Sequence, residues 1–213
     1  MTRLLLIRHG QSEANLTHRF GGQADFPLTE LGHAQAECTA DFLTQHYSLD
    51  ALYSSDLRRS MQTAAHTADR TGLPVTAQPG LREIFAGAWE GKVFETLGIT
   101  HPDAYHLWRN DFGFARCPDG ESTMELAERV RTTIDAIASM HEGQTVALFT
   151  HATPLRALCW MLTGAPQSAM QNTTWVANAS VTEVVWERGA LRAVSISQTE
   201  HLLDLQTNLP NNV

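Results

Sequence analysis

The chain is poor in cysteine, short of positive charge and without a long apolar run. Each shortage removes a class of function. Its three cysteines, Cys38, Cys117 and Cys159, are widely spaced. An odd, scattered set makes neither a disulfide framework nor a zinc knuckle, so these read as inert thiols in a reducing compartment. Lys and Arg number 15 against 23 Asp and Glu, a net charge of −8 at pH 7. That balance disfavours nucleic acid or an anionic membrane surface as the main partner. No stretch reaches the roughly 18 uninterrupted apolar residues of a membrane span. The apolar run Leu4-Leu5-Leu6-Ile7 is too short for a signal-peptide core. The expectation is a soluble, cytoplasmic protein.

What is present suits a globular enzyme. The apolar share is 43% of 213 residues, enough for a core in one domain. Residues 3–7 read as a strand and 10–26 as a polar loop. A helix then starts at Thr29, a plausible N-cap. Residues 50–54 form a second strand, 60–71 a helix stopped by Gly72 and Pro74, and 75–78 a third strand. Ser122 and Glu125 make a capping-box pattern for a helix to residue 140. Residues 145–149 are a strand, followed by a helix from about Pro154. Residues 180–186 and 191–197 alternate about Arg188-Gly189 as a hairpin would. The tail, 205–213, is polar and is expected to fray. Strands alternating with helices predict an α/β fold: a mostly parallel central sheet with helices on both faces, three layers in all. Residues 85–120, rich in aromatics, Gly and Pro, read as a cap-like insertion over the carboxyl ends of the strands. The only helix expected there is near 103–109. The domain expected is single, 1–213.

Chemistry gathers at the strand ends. One strand ends in Arg8-His9-Gly10 and another in Thr150-His151-Ala152. If both are central and parallel, both imidazoles stand on one rim, where α/β sheets bind ligands. Ser54-Ser55-Asp56-Leu57-Arg58-Arg59 brings arginines to that rim, and Leu81-Arg82-Glu83 brings a carboxylate. Together they make a phosphate-sized cationic pocket with an acid beside it.

These residues resemble the histidine phosphatase superfamily in its phosphoglycerate-mutase-like branch. The match comprises Arg8-His9-Gly10-Gln11-Ser12-Glu13 with Asn15, Pro27-Leu28-Thr29 with Gly32, and Tyr53-Ser54-Ser55-Asp56-Leu57 with Arg59 and Gln62-Thr63-Ala64. It continues through Leu81-Arg82-Glu83 with Gly87, Trp89, Glu90 and Gly91, then Gly120-Glu121-Ser122 and Thr150-His151. By that resemblance His9 is the nucleophile and forms a phosphohistidine. Arg8, Arg59, His151 and Asn15 hold the phosphoryl oxygens, and Glu83 is the acid that protonates the leaving oxygen. Arg59, not Arg58, is in register with the following Gln-Thr-Ala. Where the family often has Gly-Gly after the second histidine, this chain has Ala152-Thr153; the Ala152 amide can still meet phosphate. Gln23 falls where family members line the pocket.

Plainer roles stand beside these. Glu83 could cap a helix, Asn15 and Gln23 could stabilise turns, and His151 could be structural. The aromatics of the insertion suit packing as well as substrate contact. His101 and His106 lack ligand-like spacing, so neither a metal nor a cofactor is expected.

The resemblance implies a metal-independent phosphomonoesterase acting on a small organic phosphate. Cofactor-dependent mutases of the family carry a longer, more basic segment between the acid and the second histidine. Here residues 93–119 hold only Arg109 and Arg116 as cations. A phosphoglycerate-type mutase is the alternative, and a non-catalytic phospho-ligand binding module the second. The partner expected is a small-molecule phosphate ester. A homodimer is compatible with this reading.

Overall fold

The computed structural model describes residues 1–207; the part of the tail from 208 to 213 lies outside the described residues. The strands are β1 (Thr2–Arg8), β2 (Ala51–Ser54), β3 (Val75–Ala77), β4 (Thr145–Thr150), β5 (Val181–Glu187) and β6 (Ala190–Gln198). They form a sheet in the order β3-β2-β4-β1-β5-β6. The first four are mutually parallel; β5 runs antiparallel to β1, and β6 to β5. The expected α/β fold is therefore present, with an antiparallel hairpin at one edge. That hairpin turns on Arg188 and Gly189, both at positive φ (49° and 82°), as tight two-residue connections require.

Helices cover both faces: α1 (Glu13–Leu16), α2 (Glu30–His46), α3 (Arg58–Thr71), α4 (Phe94–Thr100), α5 (Pro102–Asn110), α6 (Thr123–Met140) and α7 (Ala152–Thr163). Side chains alternate across a strand, and β1 shows it. Leu4 and Leu6 enter one apolar cluster with Leu126, Val130 and Ile134 of α6 and Leu155 and Leu158 of α7. Leu5 and Ile7 enter the other, with Leu43 of α2 and Ala64 of α3. All four β1 side chains are fully buried, each contributing roughly 1.5–3 kcal/mol.

The caps read from sequence are formed. The Thr29 side chain accepts from the Gly32 amide at 3.0 Å. Ser122 and Glu125 make the reciprocal capping box. Gly72 ends α3 in the left-handed region at φ 71°. Four local expectations are corrected. The loop 10–26 contains α1, whose own capping box joins Ser12 and Asn15. The segment 85–120 holds α4 as well as α5. Helix α7 starts at Ala152, two residues before Pro154. Residues 205–207 are tied down: Gln35 Nε2 donates to the Leu205 carbonyl at 2.7 Å, and the Thr207 hydroxyl to Asn178 Oδ1 at 3.1 Å.

Two features fix the rim. The β1–β4 register pairs Arg8 with Thr150, so His9 and His151 leave the sheet side by side. Segment 94–110 then roofs the same end: Phe94, Glu95, Tyr105 and Trp108 line the cavity that His9 lines. Leu97 and Trp108 of this segment, with Trp89 and Phe112 on either side of it, are buried in the apolar cluster shared with β1 and α6.

Candidate active site

A cavity of about 310 Å³ opens at the carboxyl end of β1. That is the scale of a small-molecule site. Of the residues singled out from sequence, Arg8, His9, Asn15, Arg59, Glu83 and Ala152 line it. His151 sits directly behind His9, fully buried, with ring centroids 5.1 Å apart and planes at 60°. Gln23 does not line it. Its Nε2 donates to the Glu83 carbonyl at 3.1 Å and its Oε1 accepts from Arg82 at 3.3 Å, so its carboxamide braces the loop that carries Glu83.

His9 is held by both ring nitrogens. Nδ1 lies 2.7 Å from the Gly10 carbonyl, which can only accept, so Nδ1 carries the proton. Nε2 is then a lone pair, and Arg59 Nε donates to it at 3.2 Å. Burial, with Arg59 and Arg8 nearby, drives the His9 pKa well below its ordinary value. The ring is neutral at physiological pH. His151 is depressed in the same way, by burial first and then by Arg59, His9 and Arg8.

The two arginines are nearly buried, each 2% exposed. Arg59 donates to the carbonyls of Gly22 at 2.7 Å and Ala24 at 2.9 Å. The loop it holds is knitted by Glu90, whose carboxylate accepts from the amides of Gln23, Ala24 and Ala86. Arg8 donates to the Val176 carbonyl at 2.6 Å, and burial lowers its pKa to about 10. Two buried nitrogens at the site have no partner, Nε of Arg8 and Nδ1 of His151. An unpaired buried polar group costs about 1–3 kcal/mol, so such atoms mark places where a ligand supplies the missing bond.

Glu83 is 8% exposed. One carboxylate oxygen accepts from the Ile84 amide at 2.8 Å, the other from the Thr153 amide in the first turn of α7 at 3.3 Å. Burial outweighs these donors and Arg59, and raises its pKa. A carboxyl group poised toward its neutral form is a proton donor in waiting. Asn15 Oδ1 accepts from the Ser12 amide and hydroxyl and from Asn178 Nδ2, so what Asn15 can offer a ligand is its NH₂. Arg58, set aside in favour of Arg59, is exposed.

Sequence reasoning missed two supporting residues. Asn178 lines the cavity and donates to the His9 carbonyl at 3.1 Å as well as to Asn15. Arg129, paired with Glu121, donates to the carbonyls of Gly80, Arg82 and Glu83. Both reach the site from far along the chain and leave no local pattern to read.

The sequence profile of the histidine phosphatase superfamily (branch 1) matches residues 4–199. A bifunctional protein of Mycobacterium tuberculosis is 36% identical over 157 residues, 74% of this chain but 43% of its own length. The chain thus spans less than half of the mycobacterial relatives it matches in this way. Over 201 residues it is 33% identical to the glucosyl-3-phosphoglycerate phosphatase of Mycolicibacterium vanbaalenii, covering 88% of both chains. The solved structure of Bacillus stearothermophilus YhfR superposes with a TM-score of 0.90 at 27% identity, covering 95% of this chain and all of that one. The motif residues, the sheet order and these matches agree: the chain belongs to the histidine phosphatase superfamily, branch 1.

Proposed function

We propose that the protein is a phosphomonoesterase that passes the phosphoryl group through His9. The observation that carries this reading is the His9 ring, with its proton fixed on Nδ1 by Gly10 and its Nε2 lone pair in the cavity beside Arg59. Nε2 attacks phosphorus and the ester P–O bond breaks. Glu83, held toward its protonated form by burial, gives its proton to the leaving oxygen. Water then attacks the phosphohistidine and hands a proton to the Glu83 carboxylate; the P–N bond breaks and His9 is restored. Arg8, Arg59 and His151 stabilise the phosphoryl oxygens: the unpartnered Arg8 Nε is a waiting donor, and His151 Nδ1 is another in the tautomer in which the Ser55 hydroxyl, 2.8 Å away, donates to Nε2. Asn15 and the Ala152 amide complete the cradle.

The phosphatase name of the Mycolicibacterium relative, aligned over most of both chains, supports hydrolysis over isomerisation. In this reading the chain is one domain, with residues 85–120 as its cap. The partner is a small phosphate ester; a net charge of −8 argues against nucleic acid. Free cysteines, with Cys117 and Cys159 buried, suit the cytoplasm.

The test is turnover of p-nitrophenyl phosphate with a chelator present. Hydrolysis by the wild type and its loss in His9→Ala support the reading. No hydrolysis, or undiminished hydrolysis by His9→Ala, overturns it. Bisphosphate-primed isomerisation of 3-phosphoglycerate would establish the mutase instead.

A further inference from the structure

Beyond the phosphoryl clamp the cavity wall is aromatic. Phe20, Phe94, Tyr105, Trp108 and Trp175 line it. The rings are mutually packed: the Phe20 centroid lies 4.9 Å from that of Trp108 and 5.3 Å from that of Phe94, and Trp108 lies 6.5 Å from Trp175. Trp175 is fixed from behind. The Arg156 guanidinium carbon is 4.3 Å from its ring centroid and 4.0 Å from that of Phe112. Arg156, 6% exposed, is itself anchored on the carbonyls of Thr173 and Gln171 at 3.0 and 2.8 Å. A cation seated between two rings makes a braced wall rather than a loose surface.

Charge at the mouth points the same way. Apart from Arg8 and Arg59, Arg19 is the one Arg or Lys among the described lining residues. It is exposed, and it donates to the Gly91 carbonyl at 2.9 Å. His18 and Glu95 line the cavity too, so a carboxylate already stands on the same wall. A carboxylate on the leaving group would therefore leave water for a wall of rings with no buried cation to receive it, an unfavourable transfer. An uncharged ring would instead pack edge or face against its own kind.

We propose that the site takes phosphomonoesters of alcohols bearing an uncharged aromatic ring and discriminates against leaving groups bearing a carboxylate. The proposal rests on the phosphatase reading and specifies its substrate class. Phe94, Tyr105 and Trp175, all partly exposed, are the selecting residues.

The test compares kcat/KM for 2-phenylethyl phosphate, glycerol 3-phosphate and 3-phosphoglycerate. All three are esters of alkyl alcohols, so the comparison does not reward the better leaving group of a phenol. The expected result is a preference of at least about tenfold for the phenylethyl ester over both others. In Phe94→Ala and Trp175→Ala that preference shrinks about three- to tenfold. Equal or better turnover of 3-phosphoglycerate overturns the proposal, as does a preference untouched by both substitutions. His9-dependent hydrolysis of p-nitrophenyl phosphate without aromatic preference overturns the proposal alone. No turnover of any ester overturns the phosphatase reading and the proposal with it.

Discussion

Arg59 Nε donates to Nε2 of His9 across 3.2 Å, so the side chain that would stabilise an incoming phosphoryl group already guards the lone pair that would attack it. The same guanidinium holds the carbonyls of Gly22 and Ala24. His9→Ala is expected to lower kcat by at least about 10³-fold, since no other nucleophile replaces the ring. Alkaline quenching of the wild type during turnover, followed by peptide mass spectrometry, should find the phosphoryl adduct on His9. Arg59→Lys should cost about 10²–10³-fold, because an ammonium cannot reproduce the fork that bonds the two carbonyls and the ring together. Wild-type activity in Arg59→Lys would show that the fork is dispensable.

The acid limb and the alkaline limb of the pH profile have separate owners. His9 must be neutral to attack, and its depressed pKa keeps it so well below its ordinary titration range. Glu83 must be protonated, and its raised pKa keeps part of the population so at higher pH than a solvated carboxyl allows. kcat/KM for an alkyl phosphate, which reports formation of the phosphohistidine, is therefore expected to fall as pH rises through the raised Glu83 pKa. Glu83→Gln should flatten that limb and lower kcat/KM for alkyl esters about 10²–10³-fold, but much less for p-nitrophenyl phosphate, whose leaving group needs no proton. An equal loss of kcat/KM on both esters would assign Glu83 a structural role.

Much of this site was readable because it stands at strand ends. Apolar runs marked β1 and β4, and the residues that follow them, His9 and His151, had to share a rim once the strands were parallel neighbours. Arg59 and Glu83 came from register with a known family pattern. Helix α4 was missed because its N-cap, Val93, has no capping side chain and because Gly98, a weak helix former, sits inside it. Asn178 and Arg129 were missed because only the tertiary fold delivers them. Gln23 looked like a pocket residue, yet its carboxamide is turned to Glu83 and Arg82. Gly10 is not among the glycines at positive φ, so no left-handed backbone requires it.

Gly10 is required by close approach. A Cβ there would strike the carbonyl of Gly32, and a Cβ on Gly32 would strike the carbonyl of Gln11. The loop after His9 and the first turn of α2 therefore touch backbone to backbone. Gly10→Ala should destabilise the fold by about 1–3 kcal/mol through overpacking, and should cut kcat because the carbonyl that fixes the His9 proton belongs to the displaced residue. Gly72→Ala, where a Cβ meets nothing but sits at positive φ, should cost about 1 kcal/mol and leave kcat unchanged. Denaturant unfolding together with kcat for both variants checks the contrast.

Stability should fall on the acid side earlier than carboxylates alone would dictate. His9 and His151 are buried, and both resist protonation in the folded state. In the unfolded chain each takes up a proton near its ordinary pKa of about 6.5. Above that value neither form binds the proton and the pair is neutral in its effect. Below it the unfolded state gains protons that the folded state refuses, so stability drops as pH falls. Between about pH 7 and about pH 5.5 the loss from two such histidines is about 2.5 kcal/mol. Glu83, with its raised folded pKa, works in the opposite sense, since its folded form holds a proton longer than its unfolded form. Urea unfolding at the two pH values should show the net fall in the wild type. In His9→Ala about half of the histidine contribution should vanish. A stability independent of pH over this range, or a His9→Ala slope equal to the wild type, would mean that these rings accept protons inside the fold and that neutrality of His9 is not enforced by its surroundings.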